Sequence, residues 1–501
     1  MREALCNQVE IQQFLSKYQS AFTRRADGSR WPKWERTWRH ATEYFQGLLR
    51  PGKSKSVADI ADQTGADQEQ LERFVRESPW EHQNVESHLR EKIPDEGQGP
   101  DAALIVDGMA IPKSGEKSVG VARQWCGATG KVDNCQVTVN CTLARAGEQY
   151  NSDQVTWPLG ARLYLPKKWT GEDDSGEDDS VYETDREREK YAQFSEEAGI
   201  PEEVSYQPKY EIAVDLIDQA MAAGPDHACV VGDTGFGKYS PFREELRARD
   251  KPYVLEVETS KFAVVPEETT VKFAVVPEET TVLEPGSTPG RGRPRKHPAY
   301  PEEIDAETPE QIAGRLEKQG GEKQDGWREV TWNEGTKGEL SGEFARKRVR
   351  VVKNRSNRWL ADETGWLLLK RSSGEEGELK AWICWGLDEA SLEELVSWGQ
   401  LRWTVERFHQ EIKQELGADK YQGRTWRGFH HHLSAVMLAH AFVAERRLEA
   451  GKDRKDLASS AEVVRQIVRE SAVQRLMENH GFDRPKAREV AVDMLREYSD
   501  W

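Results

Sequence analysis

Two short apolar runs, each closing on an aspartate, constrain this chain more than any other feature. Residues 102–108 read AALIVDG and residues 227–233 read HACVVGD. Runs of four or five aliphatic and β-branched residues bounded by polar turns are strands with little exposed face. The second run leads through a glycine-rich turn into a helix predicted over 241–250, then a strand, PYVLEVE. Strand, helix, strand in that order implies a parallel sheet with helical crossovers, because parallel neighbours need a long connection. Open sheets of this kind place their sites at the carboxyl edge, where Asp107 and Asp233 are both expected to emerge.

A third acid, Glu406, lies in the helical stretch LRWTVERFHQEIKQEL. Arg402, Glu406, His409 and Lys413 fall at spacings of four, three and seven, so one helix face carries all four. A helix packed across the sheet edge would bring Glu406 to the two aspartates. Three converging carboxylates repel one another unless a hard cation is bound, and Mg²⁺ or Mn²⁺ prefers such oxygen ligands. Two ions about 4 Å apart can activate water on one side of a phosphodiester and stabilise the leaving oxygen on the other. Arg402 and Lys413 are then candidates to hold phosphates. Spacing alone does not assemble the triad.

The chain has 501 residues, enough for about three domains. Its 32% charged residues are offset by 17 Trp, 13 Tyr and 14 Phe, large apolar groups that a disordered chain lacks. The net charge of −17 argues against a general nucleic-acid binder, so DNA contacts are expected in local basic patches. The longest apolar run, residues 435–444, is half of the roughly 20 residues a membrane span needs. The first residues, MREALCNQVEIQQF, lack a signal-peptide core, and a cytoplasmic protein is expected. Six cysteines without a CxxC pair predict buried thiols rather than a zinc site.

Five segments are expected. Residues 1–98 read as a helical DNA-binding domain. Arg24–Lys55 carries nine Lys/Arg against three Asp/Glu with aromatics interleaved, and 56–78 has the spacing of a helix-turn-helix. Residues 99–255 form the first part of a catalytic domain. Within it, 171–190 is an acidic loop with ten Asp/Glu. Residues 256–388 are a β-rich insertion with a basic linker. This insertion opens on a tandem, identical eleven-residue repeat, KFAVVPEETTV at 261–271 and 272–282, expected at a surface loop or sheet edge. The linker, GRGRPRKHP, has the shape of a minor-groove hook, with Arg291, Arg293 and Arg295 as DNA contacts. Residues 389–448 hold the catalytic helix, and 449–501 a further helical region.

The stretch from Val106 to Asn140 contains Pro112-Lys113, Arg123-Gln124, Gly130-Lys131 and Asn134-Cys135-Gln136. With VVGDTGFGKYSPFREELRARDKPYVLEV and the Glu406 block, these residues resemble the insertion-sequence transposases of family 701, related to family 4. The resemblance implies an RNase H-like mixed sheet with flanking helices, split by the β-rich insertion and preceded by the helical domain. It implies DDE chemistry at Asp107, Asp233 and Glu406, which would also be the metal ligands. Lys113, Arg123, Arg402 and Lys413 would touch DNA, and Trp359 or Trp366 would stack on a displaced base. The expected partners are double-stranded DNA, as transposon ends and target, and a second copy in a homodimer. The family's Tyr-Arg-Glu-Lys signature is matched at Arg402, Glu406 and Lys413, but Gly399 stands at the tyrosine position.

Two other readings compete. GDTGFGKY nearly spells a phosphate-binding P-loop, yet Tyr239 replaces the Ser or Thr that meets Mg²⁺, and Asp233 would repel phosphates. A catalytically inactive, transposase-derived DNA-binding protein would keep the basic patches without the chemistry. His430-His431-His432 points in three directions around a helix and suits packing or phosphate contacts better than one metal. The acidity suits a host with high internal salt.

Overall fold

The computed structural model describes residues 8–25, 27–50, 54–145, 155–171, 184–259, 274–285, 297–318, 326–334, 339–371 and 378–452, and, beyond these, 469, 472–473, 476–477 and 481–496. One mixed sheet organises them. Its first part comprises β1 (Ala102–Pro112), β2 (Ala122–Cys126), β3 (Lys131–Arg145), β4 (Val155–Leu163), β5 (Cys229–Gly232) and β6 (Tyr253–Val257). β4 pairs antiparallel with β3, β3 antiparallel with β1, β1 parallel with β5, and β5 parallel with β6. Three antiparallel strands continued by two parallel ones make an RNase H-like fold. The predicted apolar run 102–106 is fully buried, as strands covered on both faces require.

The later strands extend this sheet. They are β7 (Val275–Pro277), β8 (Arg328–Asn333), β9 (Glu339–Asn354), β10 (Trp359–Arg371) and β11 (Leu379–Trp385). β11 pairs with β6, and the order runs on through β10 and β9 to β7. The second copy of the eleven-residue repeat supplies β7 at the sheet's edge; the first lies outside the described residues. So do the acidic residues 172–183, and Arg291, Arg293 and Arg295.

Six helices precede the sheet: α1 (Gln8–Ser16), α2 (Gln19–Thr23), α3 (Trp34–Leu49), α4 (Val57–Thr64), α5 (Gln68–Glu77) and α6 (His82–Glu91). α4 and α5 form the helix-turn-helix pattern, with Ser56 and Asp67 as side-chain N-caps and Gly65 closing α4 at φ +72°. Tyr44 and Phe45 from the basic aromatic stretch are core, whereas Arg25 and Arg30 lie over the half-buried rings of Trp31 and Trp34. After the third and fourth strands come α7 (Lys167–Thr170), α8 (Asp185–Ala198) and α9 (Lys209–Ala222). Then follow α10 (Thr234–Gly237), α11 (Ser240–Ala248), α12 (Pro309–Lys318), α13 (Leu392–Gln400), α14 (Arg402–Gln414) and α15 (Trp426–Lys452). A last helix spans Arg484–Arg496.

Residues 429–444 of α15 are buried without a break, which explains why its apolar run is continuous. The three histidines on it are packing residues, and burial removes them from any phosphate. His430 stacks on His82, His431 lies 3.8 Å from the Trp80 ring with its nitrogens facing the carbonyls of Val75 and Trp80, and His432 meets Tyr44. They tie the first helices to the sheet side of the molecule. Phe14, Tyr44, the β1 strand and α15 share one continuous core.

Candidate active site

Strand register sets the site. Val106 of β1 pairs with Gly232 of β5, and Gly232 pairs with Leu255 of β6. One residue further on come Asp107 within β1, Asp233 just past the end of β5 and Glu256 within β6, on neighbouring parallel strands about 4.8 Å apart. Parallel neighbours in register point to the same face, so the three acids form a row. Asp107 is buried and accepts a hydrogen bond from the Gly108 amide at 2.8 Å. Asp233 caps α10, its carboxylate accepting from the Phe236 amide at 3.2 Å.

The Asp-Thr-Gly-Phe-Gly turn is therefore a helix cap and not a phosphate cradle. Its glycine at 237 serves packing: a Cβ there would lie 2.0 Å from the Glu256 carbonyl oxygen.

α14 crosses this edge with Val405, Phe408, His409 and Ile412 buried and the Arg402–Glu406 side along the border of the site. Arg402 lies among the acids, and each of its nitrogens addresses a different one. Nη2 is 2.6 Å from Glu406 Oε1, Nη1 is 3.6 Å from Asp107 Oδ2, and Nε is 3.6 Å from Glu256 Oε2. Glu406, at 56% side-chain exposure, is the open member of the set, against 9% for Asp107 and 16% for Glu256. Burial, with the charge of Asp233 added, pushes the Asp107 carboxyl up to about 7 against the pull of Arg402. Glu256 is raised too, first by burial. For Arg402 burial works against the charge, but Asp107, Glu406, Asp233 and Glu256 together hold it firmly cationic.

His409, one turn after Glu406, is buried beneath Asp107 with Nδ1 3.9 Å from its carboxylate and Nε2 3.2 Å from the Asn140 amide nitrogen. Burial, then the nearby Lys413 and Arg402 charges, drives its pKa down to about 3, so it is a neutral ring. With Asn140 donating to Nε2, the remaining proton sits on Nδ1, toward Asp107. Asn140 is itself the β3 register partner of Asp107.

The other sequence candidates separate. Lys413 donates to the Ala110 carbonyl at 2.9 Å and Lys113 to the Tyr421 carbonyl at 2.7 Å, and both are part-buried. They bind loop and helix to the end of β1. Burial lowers both, Lys113 to about 8. Arg123 is exposed on the β2–β3 hairpin beside Trp125, whose ring is 62% exposed. Trp366 is flanked by Arg346 and Arg348, and Trp359 packs against His297. Sequence reasoning passed over Glu256. Its signal was one charged residue inside a strand whose other residues are apolar, a placement that requires a partner.

Among the described residues, no group of three or more His, Cys, Asp or Glu stands ready-formed around a metal position. The guanidinium of Arg402 lies between the acids instead. The donor set nonetheless fits a hard divalent cation: all the ligands are carboxylate oxygens, and their like charges already draw one cationic group into their midst.

A mixed sheet of this order, with acids at the carboxyl edge and a helix laid across it, is that of a nuclease of the RNase H-like class. Residues 32–339 match the family described as DDE superfamily endonuclease, and the chain belongs to that family. The matched residues take in Asp107, Asp233 and Glu256 and end before Glu406. The chain is also similar to the probable transposase for insertion sequence element IS701 from Microchaete diplosiphon, 31% identical over 123 residues. That stretch is 24% of this chain, and it spans 30% of the relative.

Proposed function

We propose that this protein is a DNA transposase. It binds the terminal repeats of its insertion sequence, cuts the strand there and joins the freed end to target DNA. The observation that carries this reading is the level placement of Asp107 and Asp233 on β1 and β5, with Glu406 tied to the same guanidinium. Mg²⁺ or Mn²⁺, as two ions bound by Asp107, Asp233 and Glu406, would supply the activated water or 3′-hydroxyl and neutralise charge at the leaving oxygen. The protein's own groups do the rest. Arg402 holds a non-bridging phosphate oxygen beside the acids, and His409 keeps Asp107 oriented from below.

The segment boundaries anticipated from sequence are part of the proposal. The helices up to residue 98, Arg123 on its hairpin and the linker with Arg291, Arg293 and Arg295 read as DNA contacts. Lys113 and Lys413 act on DNA by fixing the loop and helix that border the site. Two copies on paired ends, in the nucleoid of a prokaryotic cell, complete the reading. No helix among the described residues is long and apolar enough to cross a membrane.

The test is cleavage of DNA carrying the element's own terminal repeats, with Mg²⁺, Mn²⁺ or chelator. Nicking at the repeat boundary that needs the metal supports the proposal. End binding without cutting under every metal condition would favour an inactive, transposase-derived DNA-binding protein.

A further inference from the structure

We propose that Glu256 is a positioning residue of this site, the anchor that keeps Arg402 beside the scissile phosphate once divalent ions engage the other acids. The inference rests on the transposase reading and goes beyond it by assigning a fourth carboxylate.

The argument begins with register. Glu256 is level with Asp233 on the next strand, on the same face, and faces the Nε of Arg402 at 3.6 Å. The other two ion pairs of Arg402 are with Asp107 and Glu406, the acids proposed to bind metal. A divalent ion entering there competes directly with the guanidinium for both carboxylates and repels it. A free arginine would be driven from the site at the moment its charge is needed. Glu256 prevents this, because its side chain is largely buried on β6 and does not belong to the triad. Its carboxylate has Arg402 as its foremost charged neighbour and Lys380 as a weaker one. Attraction to an anchor at one end of the fork leaves the two Nη groups able to turn from carboxylate to phosphate oxygen. Gly237 presses α10 against the Glu256 backbone, so the cap of Asp233 and the position of Glu256 are fixed by one contact.

The experiment is a double-mutant cycle on the full chain: wild type, Glu256→Gln, Arg402→Gln and the double variant. The first readout needs no DNA and no cleavage: the rise in Tm on titration with Mn²⁺. Without Glu256 the guanidinium falls back on Asp107 and Glu406, and half-saturation should require roughly tenfold more Mn²⁺, the scale on which outer partners of metal sites act. In the Arg402→Gln background, Glu256→Gln should change nothing further. The second readout is end cleavage at saturating metal, where Glu256→Gln should lower the rate with end binding unchanged, and Glu256→Asp should restore part of it.

Equal Mn²⁺ shifts in both arginine backgrounds would overturn the proposal by showing that Glu256 acts independently of Arg402. So would a Glu256→Gln curve identical to wild type. Asp107→Asn is run alongside. If wild type itself fails to cut, the transposase reading falls while the Mn²⁺ cycle still reports on Glu256. If wild type cuts, Asp107→Asn does not and the cycle is additive, only this inference falls.

Discussion

Gly237 and Glu256 touch through the backbone, the first at the end of α10 and the second in mid-strand on β6, with no room for a methyl group between them. The contact positions two acids at once, because α10 is the helix that Asp233 caps. Gly237→Ala must displace either the helix or the strand. The expected result is a lower Tm together with a loss of end cleavage disproportionate to it, measured on protein kept below its melting range. Normal cleavage in a folded Gly237→Ala protein would show that the row of acids does not depend on this contact.

Asp107→Asn, Asp233→Asn and Glu406→Gln are each expected to abolish cleavage while leaving end binding nearly intact. Asp233 gives the sharpest version, because its carboxylate is also a cap. Asn caps a helix about as well as Asp, whereas Ala forfeits about 1 kcal/mol. Asp233→Asn should therefore keep the wild-type Tm and lose activity, and Asp233→Ala should lose both. Retained cutting by any of the three amide variants would remove that residue from the metal set.

What the sequence made legible was the part of the site written as local pattern. Apolar runs ending in Asp107 and Asp233 announced a parallel sheet edge, and the spacing around Glu406 announced a helix face that borders this edge, with His409 buried and Glu406 open. Glu256 was hidden because a glutamate in PYVLEVE also fits a half-exposed strand; only the pairing of β6 with β5 makes it a neighbour of Asp233. The carbonyls of Tyr421 and Ala110 that Lys113 and Lys413 reach could not be read from the sequence either, because both partners are set by tertiary packing. The β-rich insertion became long strands extending the main sheet, a join made by the β11–β6 pairing that no local pattern encodes.

Acid should destabilise the union of α15 with the first helices. His432 donates from Nε2 to the Gly417 carbonyl at 3.0 Å, and its Nδ1 accepts from the Tyr44 hydroxyl at 2.8 Å, an arrangement only the neutral ring provides. Burial lowers its pKa from 6.5 to about 4. The unfolded chain takes up the proton first, so this contribution is complete above pH 6.5 and is lost as pH falls toward 4. The full effect is on the order of 3 kcal/mol. His432→Gln should cost stability at pH 7 yet flatten the fall in Tm between pH 6.5 and 4.5. An unchanged slope in the variant would contradict this.

Glu363 of β10 lies buried between two arginines of α11 and a tyrosine of β6. It accepts from Arg243 Nε at 2.8 Å and from the Tyr253 hydroxyl at 2.6 Å, and pairs with Arg247 at 3.1 Å. Removing one partner from such a buried set leaves uncompensated charge, at a cost of roughly 3–5 kcal/mol. Glu363→Ala should therefore unfold at markedly lower urea than wild type. Arg243 also donates to the Gly237 carbonyl, so the loss should reach the active-site turn and lower cleavage even where the protein remains folded.

Gly399, at the position of the family's signature tyrosine, faces inward from α13. A Cβ built there would already touch Leu368, Trp382 and Val254 at 3.6–3.7 Å, ordinary contact with nothing to spare beyond it. Those three side chains belong to β10, β11 and β6, so the helix preceding Arg402 rests directly on the sheet where the later strands join. A tyrosine ring would have to enter this packed layer or push α13 outward, and overpacking of this kind costs typically about 1–3 kcal/mol. Outward movement would carry Arg402 with it, since only Leu401 separates the two helices. Restoring the family residue by Gly399→Tyr is therefore expected to lower both Tm and cleavage, while Gly399→Ala, whose methyl the site accepts, should leave both close to wild type. A gain of activity in Gly399→Tyr would show that the tyrosine is missed here and that the layer repacks to admit it.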